Sequence, residues 1–316
     1  MQTMHVLTYH GEALASYGFG RGHPFGPDRL NAFWQEMTSR GLDRQSGIGA
    51  PVACTEKDLV LFHTSDYIAR VKYQSHTGEG YLDYGDTPAF PGVFEAASVV
   101  VGSVLDGLKK ILAGECRRVF VPIAGLHHAR RDTAAGFCVF NDIGVLIESL
   151  RKRHGIQRVA YVDIDAHHGD GVFYSFEDDP DLIFADIHED GRYLYPGTGA
   201  ATETGRGKAK GTKLNIPMEP GADDAAFHRV WPRVEEFVRA GKPEFIILQA
   251  GADSIAGDPI THMQFTPATH SYAAARLCAL ADEFCQGRII AMGGGGYNRD
   301  NLAAAWTSVV GAMLET

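Results

Sequence analysis

YVDIDAHHGDG, residues 161–171, changes character halfway along. The run that feeds it, RVAYV at 158–162, is apolar and β-branched and reads as a buried parallel strand. Three acids, Asp163, Asp165 and Asp170, and two histidines, His167 and His168, then crowd together. In an open parallel sheet, ligands bind beyond the carboxyl ends of the strands. Asp165 and His167 stand at i and i+2, so they can converge on one ion as the strand ends. A carboxylate and an imidazole make part of a zinc or iron(II) site, and a third ligand must come from elsewhere. Acids ahead of a helix also cap its free N–H groups, a reading this stretch alone leaves open.

Strand and helix signals alternate on both sides. Residues 4–9 read as a first strand, followed by a glycine-rich loop at 17–30. Pro27 starts an expected helix with Leu30, Phe33, Trp34 and Met37 on one face. Arg29 stands near its start, where a cation is disfavoured, so simple exposure is the plain expectation. A helix at 65–73 capped by Ser65 or Asp66, a long loop at 75–91 carrying Tyr81, Tyr84 and Phe90, and a helix at 92–112 follow. Strands at 119–121, 182–187, 245–250 and 288–292 alternate with helices at 223–240, 267–285 and up to about 314. A further helix runs to about 154, capped by Asn141 or Asp142. Alternation without a linker predicts one α/β domain over 1–316, a central parallel sheet flanked by helices on both faces.

Four of these strands end in chemistry: His127 and His128, Asp165 and His167, Asp253, and Tyr297. Strand ends in such a sheet share one edge, so Asp253 supplies the third ligand. Two carboxylates and one imidazole leave positions open for water and a carbonyl, a catalytic arrangement. Attack of activated water needs a base and then an acid for the leaving group, and His127 and His128 are the candidates. Asp163 and Asp170 are placed to orient those imidazoles. Tyr297 follows Gly293 to Gly296 on a mobile-looking loop, where its hydroxyl can stabilise an oxyanion.

The composition fits a soluble globular protein with a large core: 316 residues, 45% hydrophobic and 22% charged. A net charge of −10 argues against a general nucleic-acid binder. The basic run at 151–153 reads as a solvated helix end, and that at 208–213 as a glycine-rich loop. Cys54, Cys116, Cys138, Cys278 and Cys285 form no CxxC pair, which speaks against a structural zinc knuckle and for a reducing, cytoplasmic setting. No leader-like run opens the chain, and no apolar stretch reaches the roughly 18 residues a membrane span needs.

The motifs GLHHA, GFCVFND, VDIDAHHGDG, YPGTG, GADSIAGDP and GGGGYN resemble those of the histone deacetylase superfamily, from about residue 20 onward. That group holds zinc-dependent lysine deacetylases, acetoin-utilisation-type bacterial proteins and acetylpolyamine amidohydrolases. The wording around HHARRD, HHGDG and GGGGYN looks closest to the class I and acetoin-utilisation branch. The resemblance implies an arginase–deacetylase α/β fold and hydrolysis of an acyl-lysine-type amide. By motif, Asp165, His167 and Asp253 hold the metal, Zn2+ or Fe2+. His127 and His128 form the catalytic pair with His128 as base, and Tyr297 polarises the carbonyl. Gly136, Phe137 and Tyr195 line a narrow tunnel for the lysine stem. Asp86 grips the substrate backbone, and Arg29 belongs to an acetate-exit channel. The resemblance also implies a structural potassium ion near Asp163, Asp165, His167 and Asp186, where family members often carry serine instead of Asp186.

Three rival readings compete with this expectation. Acetylpolyamine deacetylation keeps the chemistry, but some such enzymes carry a gatekeeper glutamate where this chain has Ile260, an apolar wall, and others use a longer loop than residues 75–91. The expected partner is therefore an acyl-lysine protein or peptide, with an acetylated small amine as the alternative. A two-metal ureohydrolase would need aspartates where Gly169 and Ile255 stand. A non-enzymatic module would lack one of the catalytic residues, and all are present. The acyl length, the physiological target and the oligomeric state stay open at this level.

Overall fold

The computed structural model describes residues 4–20 and 22–316. Residues 1–3 of the stretch read for a leader, and residue 21 of the glycine-rich loop, lie outside them. Eight strands form one all-parallel sheet: β1 (Met4–Tyr9), β2 (Gly47–Gly49), β3 (Cys116–Val121), β4 (Val159–Asp163), β5 (Leu182–Glu189), β6 (Lys213–Met218), β7 (Phe245–Gln249) and β8 (Ile289–Met292). Their order is β2-β1-β3-β8-β7-β4-β5-β6. The four strands that end in chemistry, β3, β8, β7 and β4, are thus four neighbours at the centre. All five residues of β4 are buried, as are those of β5 and β7, because helices cover both faces of a parallel sheet.

The longer helices are α2 (Arg29–Ser39), α4 (Ser65–Thr77), α5 (Val93–Leu112), α6 (Asp142–His154), α8 (Asp224–Gly241), α9 (Pro267–Phe284) and α10 (Arg299–Glu315), with one-turn helices α1 (Glu12–Ala15), α3 (Glu56–Leu59) and α7 (Asp170–Ser175) between them. One group packs α5 against β3, α4 and α6; the other packs α10 against α2 and α9, and α9 against β7 and α8.

Several local expectations change. The helix expected at 65–73 runs on to Thr77 and is capped by Thr64, whose hydroxyl accepts from the Tyr67 N–H, rather than by Ser65 or Asp66. The loop after it therefore begins at Gly78, in left-handed conformation (φ 70°). Arg29 is fully buried, not exposed. The basic stretch expected to be a loop ends in strand β6. Lys213 enters the interior because its ammonium donates to the Asp179 and Leu182 carbonyls and to Thr212 Oγ1 (2.8–2.9 Å). Burial lowers its pKa to about 8. Among the described residues no helix is long and apolar enough to cross a membrane. All five cysteines are free.

Candidate active site

The start of α6 builds the segment after β3. The Asp142 carboxylate accepts from the Gly125 and Leu126 N–H groups at 3.0 Å, and Asn141 Nδ2 donates to the Ala129 carbonyl at 2.8 Å. This pins the two histidines between them. His127 Nδ1 meets Asp163 Oδ2 at 2.8 Å, His128 Nδ1 meets Asp170 Oδ1 at 2.7 Å, and the two Nε2 atoms lie 3.1 Å apart. Asp163 also accepts from the Tyr161 hydroxyl. Both pairs are buried. Burial, with His127 alongside, pushes His128 down to about 4, so at neutral pH it is an uncharged base. Burial alone would raise Asp170, but its bond to His128 and the charge of Arg130 hold it below the usual carboxylate range. The acids at 163–170 do not cap α7: its N-cap is Gly169 with no side-chain cap bond, and Asp170 in its first turn turns to His128 and Arg130 instead. His168, the second histidine of the motif, turns away to Thr198 Oγ1 (2.8 Å).

Asp165, His167 and Asp253 converge beside these pairs, with one ligand-type atom from each within 4.8 Å of the others. His167 Nδ1 lies 3.1 Å from both Asp165 Oδ1 and Asp253 Oδ2. The other Asp165 oxygen accepts from Gln249 Nε2 and the Gly295 N–H at 2.8 Å, and Asp253 Oδ1 accepts from the Ala166 N–H at 2.9 Å. Burial and the Asp165 charge push Asp253 up to about 7. Burial would lower His167, yet its bonds to the two carboxylates raise it to about 10. The three groups together draw in a positive charge, which is the behaviour of a cation site, and two carboxylates with an imidazole suit a divalent metal.

The glycine run is there for close approach, not mobility. A Cβ at Gly293 would strike the Pro122 carbonyl, and one at Gly295 the Asp253 carboxylate. The run brings Tyr297 to the site, half-buried, with its N–H donating to Asp258 Oδ2 (2.8 Å). Its hydroxyl makes no hydrogen bond to a described residue, and burial with Asp253 and Asp165 nearby keeps its proton on. Arg29 donates to the Gly294 and Gly296 carbonyls (2.6 and 3.0 Å) and lies 4.0 Å over the Phe25 ring. Its Nη1 is buried with no partner among the described residues.

The outer wall depends on residues that sequence reasoning missed. Phe137 has φ 66°, a left-handed conformation unusual for an aromatic residue. Its N–H donates to Thr87 Oγ1 (3.0 Å), and its carbonyl accepts from the Tyr17 hydroxyl (2.7 Å). Thr87 Oγ1 in turn donates to Asp83 Oδ2 (2.6 Å), and Asp83 Oδ1 accepts the N–H groups of Gly85, Asp86 and Thr87. Phe137 stands edge-on to His23 (4.5 Å) and Tyr297 (5.8 Å). Tyr195 stands edge-on to His128 at 5.1 Å. Gly136 separates the walls, and a Cβ there would lie 2.5 Å from the His128 ring. Asp86, Tyr84, Arg130 and Tyr195 rim a cavity of about 480 Å³. Ile260 is half-buried and lines neither this cavity nor the inner one formed by His127, His128, Asp165 and Tyr297. Gln249, at the end of an apolar strand, was the one missed residue with a visible signal. Thr87 and Tyr17 had none, because only tertiary packing aims them.

Residues 23–313 match the family model of the histone deacetylase domain, so the chain belongs to the histone deacetylase family. It is 38% identical over 297 residues to acetoin utilization protein AcuC of Bacillus subtilis, covering 92% of this chain and 76% of that one. It is 32% identical to histone deacetylase clr6 of Schizosaccharomyces pombe, covering 98% of this chain and 76% of the yeast protein. The HDA15 HD domain superposes with a TM-score of 0.90 at 28% identity, over 99% of this chain and 90% of that domain. Deacetylation, a hydrolytic reaction, is therefore the activity of its class.

Proposed function

We propose that this protein is a metal-dependent lysine deacetylase, acting on an acyl-lysine, chiefly acetyl-lysine, in a protein or peptide. The observation that carries the reading is the pair of buried His–Asp couples abutting the Asp165–His167–Asp253 cluster. Those three residues hold the metal, zinc(II) or iron(II). When bound, it supplies a Lewis acid that polarises the acyl carbonyl and acidifies water. Uncharged His128 takes a proton from the attacking water and delivers it to the lysine nitrogen as the C–N bond breaks. Asp170 and Asp163 hold the two imidazoles in register. Tyr297 donates its free hydroxyl to the carbonyl oxygen as charge develops there. Phe137 and Tyr195, across Gly136, flank the methylene stem, and Asp86 accepts from the peptide backbone at the rim. The unpartnered Arg29 Nη1 suits the released carboxylate.

Asp163, Asp165 and Asp186 are buried together, and none bonds to a described lysine or arginine, which favours a potassium ion beside them. Asp186 already accepts from His188 Nδ1 (2.7 Å) and the Gly169 N–H (2.9 Å), so an ion there would use its other lone pairs. Five free cysteines accord with a cytoplasmic setting. The test is turnover by the metal-reconstituted protein of an acetyl-lysine peptide against N-acetylputrescine. Preference for the peptide supports the reading. Preference for the amine moves the substrate to polyamines, and activity on neither with metal bound removes it.

A further inference from the structure

The two His–Asp couples end differently. Asp163 is backed by the neutral Tyr161 hydroxyl and the Asp165 N–H, deep in the core. Asp170 is backed by a cation: Arg130 Nη2 donates to its Oδ2 at 3.2 Å, while its Oδ1 meets His128 Nδ1 at 2.7 Å. The arginine side chain is 54% exposed, whereas Asp170 has no exposure at all. The Arg130 N–H donates to the Thr133 carbonyl (2.9 Å), closing the turn from which the guanidinium reaches inward. Arg130 is also a wall of the mouth cavity. It is thus the residue that touches both the rim and a carboxylate of the inner machinery. A Cβ at Gly171 would lie 2.5 Å from the His127 and Ala129 carbonyls, so Asp170 stands hard against the 127–130 backbone and both ends of the chain of bonds are fixed.

We propose that Arg130 is a positioning residue: its guanidinium holds Asp170, and through Asp170 the His128 imidazole, in the orientation that proton transfer requires. The inference rests on His128 being the base of the proposed deacetylase. An exposed ion pair contributes little, but here the carboxylate lies in the dry interior, where an aligned charge counts for more. Removing the guanidinium leaves Asp170 with the imidazole alone and free to rotate about it. Loss of such an outer partner of a functional imidazole typically costs about tenfold or more.

The test compares Arg130→Gln and Arg130→Lys with the unaltered, metal-loaded protein. Arg130→Gln should lower kcat on the acetyl-lysine peptide about tenfold with KM within about twofold, and Arg130→Lys should recover most of the loss. A second readout needs no turnover: the far-downfield imidazole N–H proton of the His128–Asp170 bond, followed by NMR, should move in Arg130→Gln and stay in Arg130→Lys. A raised KM with kcat kept would make Arg130 a peptide contact only and overturn the proposal. So would an unmoved proton resonance. If the unaltered protein turns over no acyl amine, the deacetylase reading fails, while the NMR comparison still decides whether Arg130 orients the couple.

Discussion

Replacing Thr87 with valine keeps shape and removes one hydroxyl from a fully buried position. Three groups lose by it. Phe137 loses the acceptor for its N–H, Asp83 loses one of its four donors but keeps three backbone N–H groups, and Asp86 Oδ1 loses its 3.2 Å contact with the hydroxyl. An unsatisfied buried N–H costs about 1–3 kcal/mol. The left-handed backbone of Phe137 itself costs on the order of 1–3 kcal/mol and persists only while its surroundings enforce it. The Tyr17 bond to the Phe137 carbonyl remains and offsets part of the loss. A net shift of about 2 kcal/mol corresponds to roughly 30-fold in the ratio of native to non-native wall, an upper bound on the loss of competent enzyme. We therefore expect Thr87→Val to lower kcat/KM on an acetyl-lysine peptide by about 10- to 30-fold, with metal content unchanged and Thr87→Ser close to the unaltered protein. Steady-state kinetics with metal analysis of the same samples make the measurement. A valine variant within about twofold of the unaltered protein would refute the argument that this hydroxyl holds the wall.

Other perturbations probe other parts. Tyr297→Phe should fold and bind metal while kcat falls about 10²- to 10³-fold, and near-normal turnover would remove the oxyanion role. Asp253→Asn should lose metal occupancy, and chelation should lower the melting temperature of the unaltered protein but not of this variant; equal melting before and after chelation would contradict the ligand assignment. Burial and the neighbouring Asp83 raise Asp86 to about 7, so it is protonated below that value and a full acceptor above it. KM for a peptide should accordingly fall as pH rises from about 6 to about 8, and the trend should vanish in Asp86→Asn; a flat profile in the unaltered protein would count against the grip.

Much of this was legible because the central strands are plain. RVAYV and FIILQ are apolar throughout, and abrupt polarity at their ends marks the site edge. The metal-type residues and the acids of both histidine couples lie at or just past the ends of β4 and β7, and the histidines follow β3, so placement at neighbouring strand ends grouped them. Other features were illegible for physical reasons. Strand β6 carries Lys213, Asn215 and Pro217; pairing with β5 makes it a strand, and the three acceptors around the Lys213 ammonium allow its buried start. Pro217 is tolerated because β6 is an edge. Arg29 looks exposed by position, yet two carbonyls of the glycine run and the Phe25 ring enclose it. The glycine run itself reads as slack when it is the tightest packing in the site. Ile260 was placed by counting from Asp253, and it stands half-buried on the turn after Asp258.

The strand order carries a consequence for how the protein comes into being. β8, made after every other strand of this sheet, lies between β3 and β7, and it delivers the glycine run and Tyr297. During synthesis the histidine couples and the Asp165–His167–Asp253 cluster leave the ribosome well before this strand. Until it slots in, the sheet is split into two halves, and the Gly295 N–H that steadies Asp165 is missing. A nascent chain can therefore carry nearly every reactive group and still be inert. Competence for metal and for catalysis should arrive in one late step, when the final strand zips the halves together. Insertion between two waiting edges is a long-range closure of the kind that slows folding. Until it is complete, the facing edges of β3 and β7 stand unpaired.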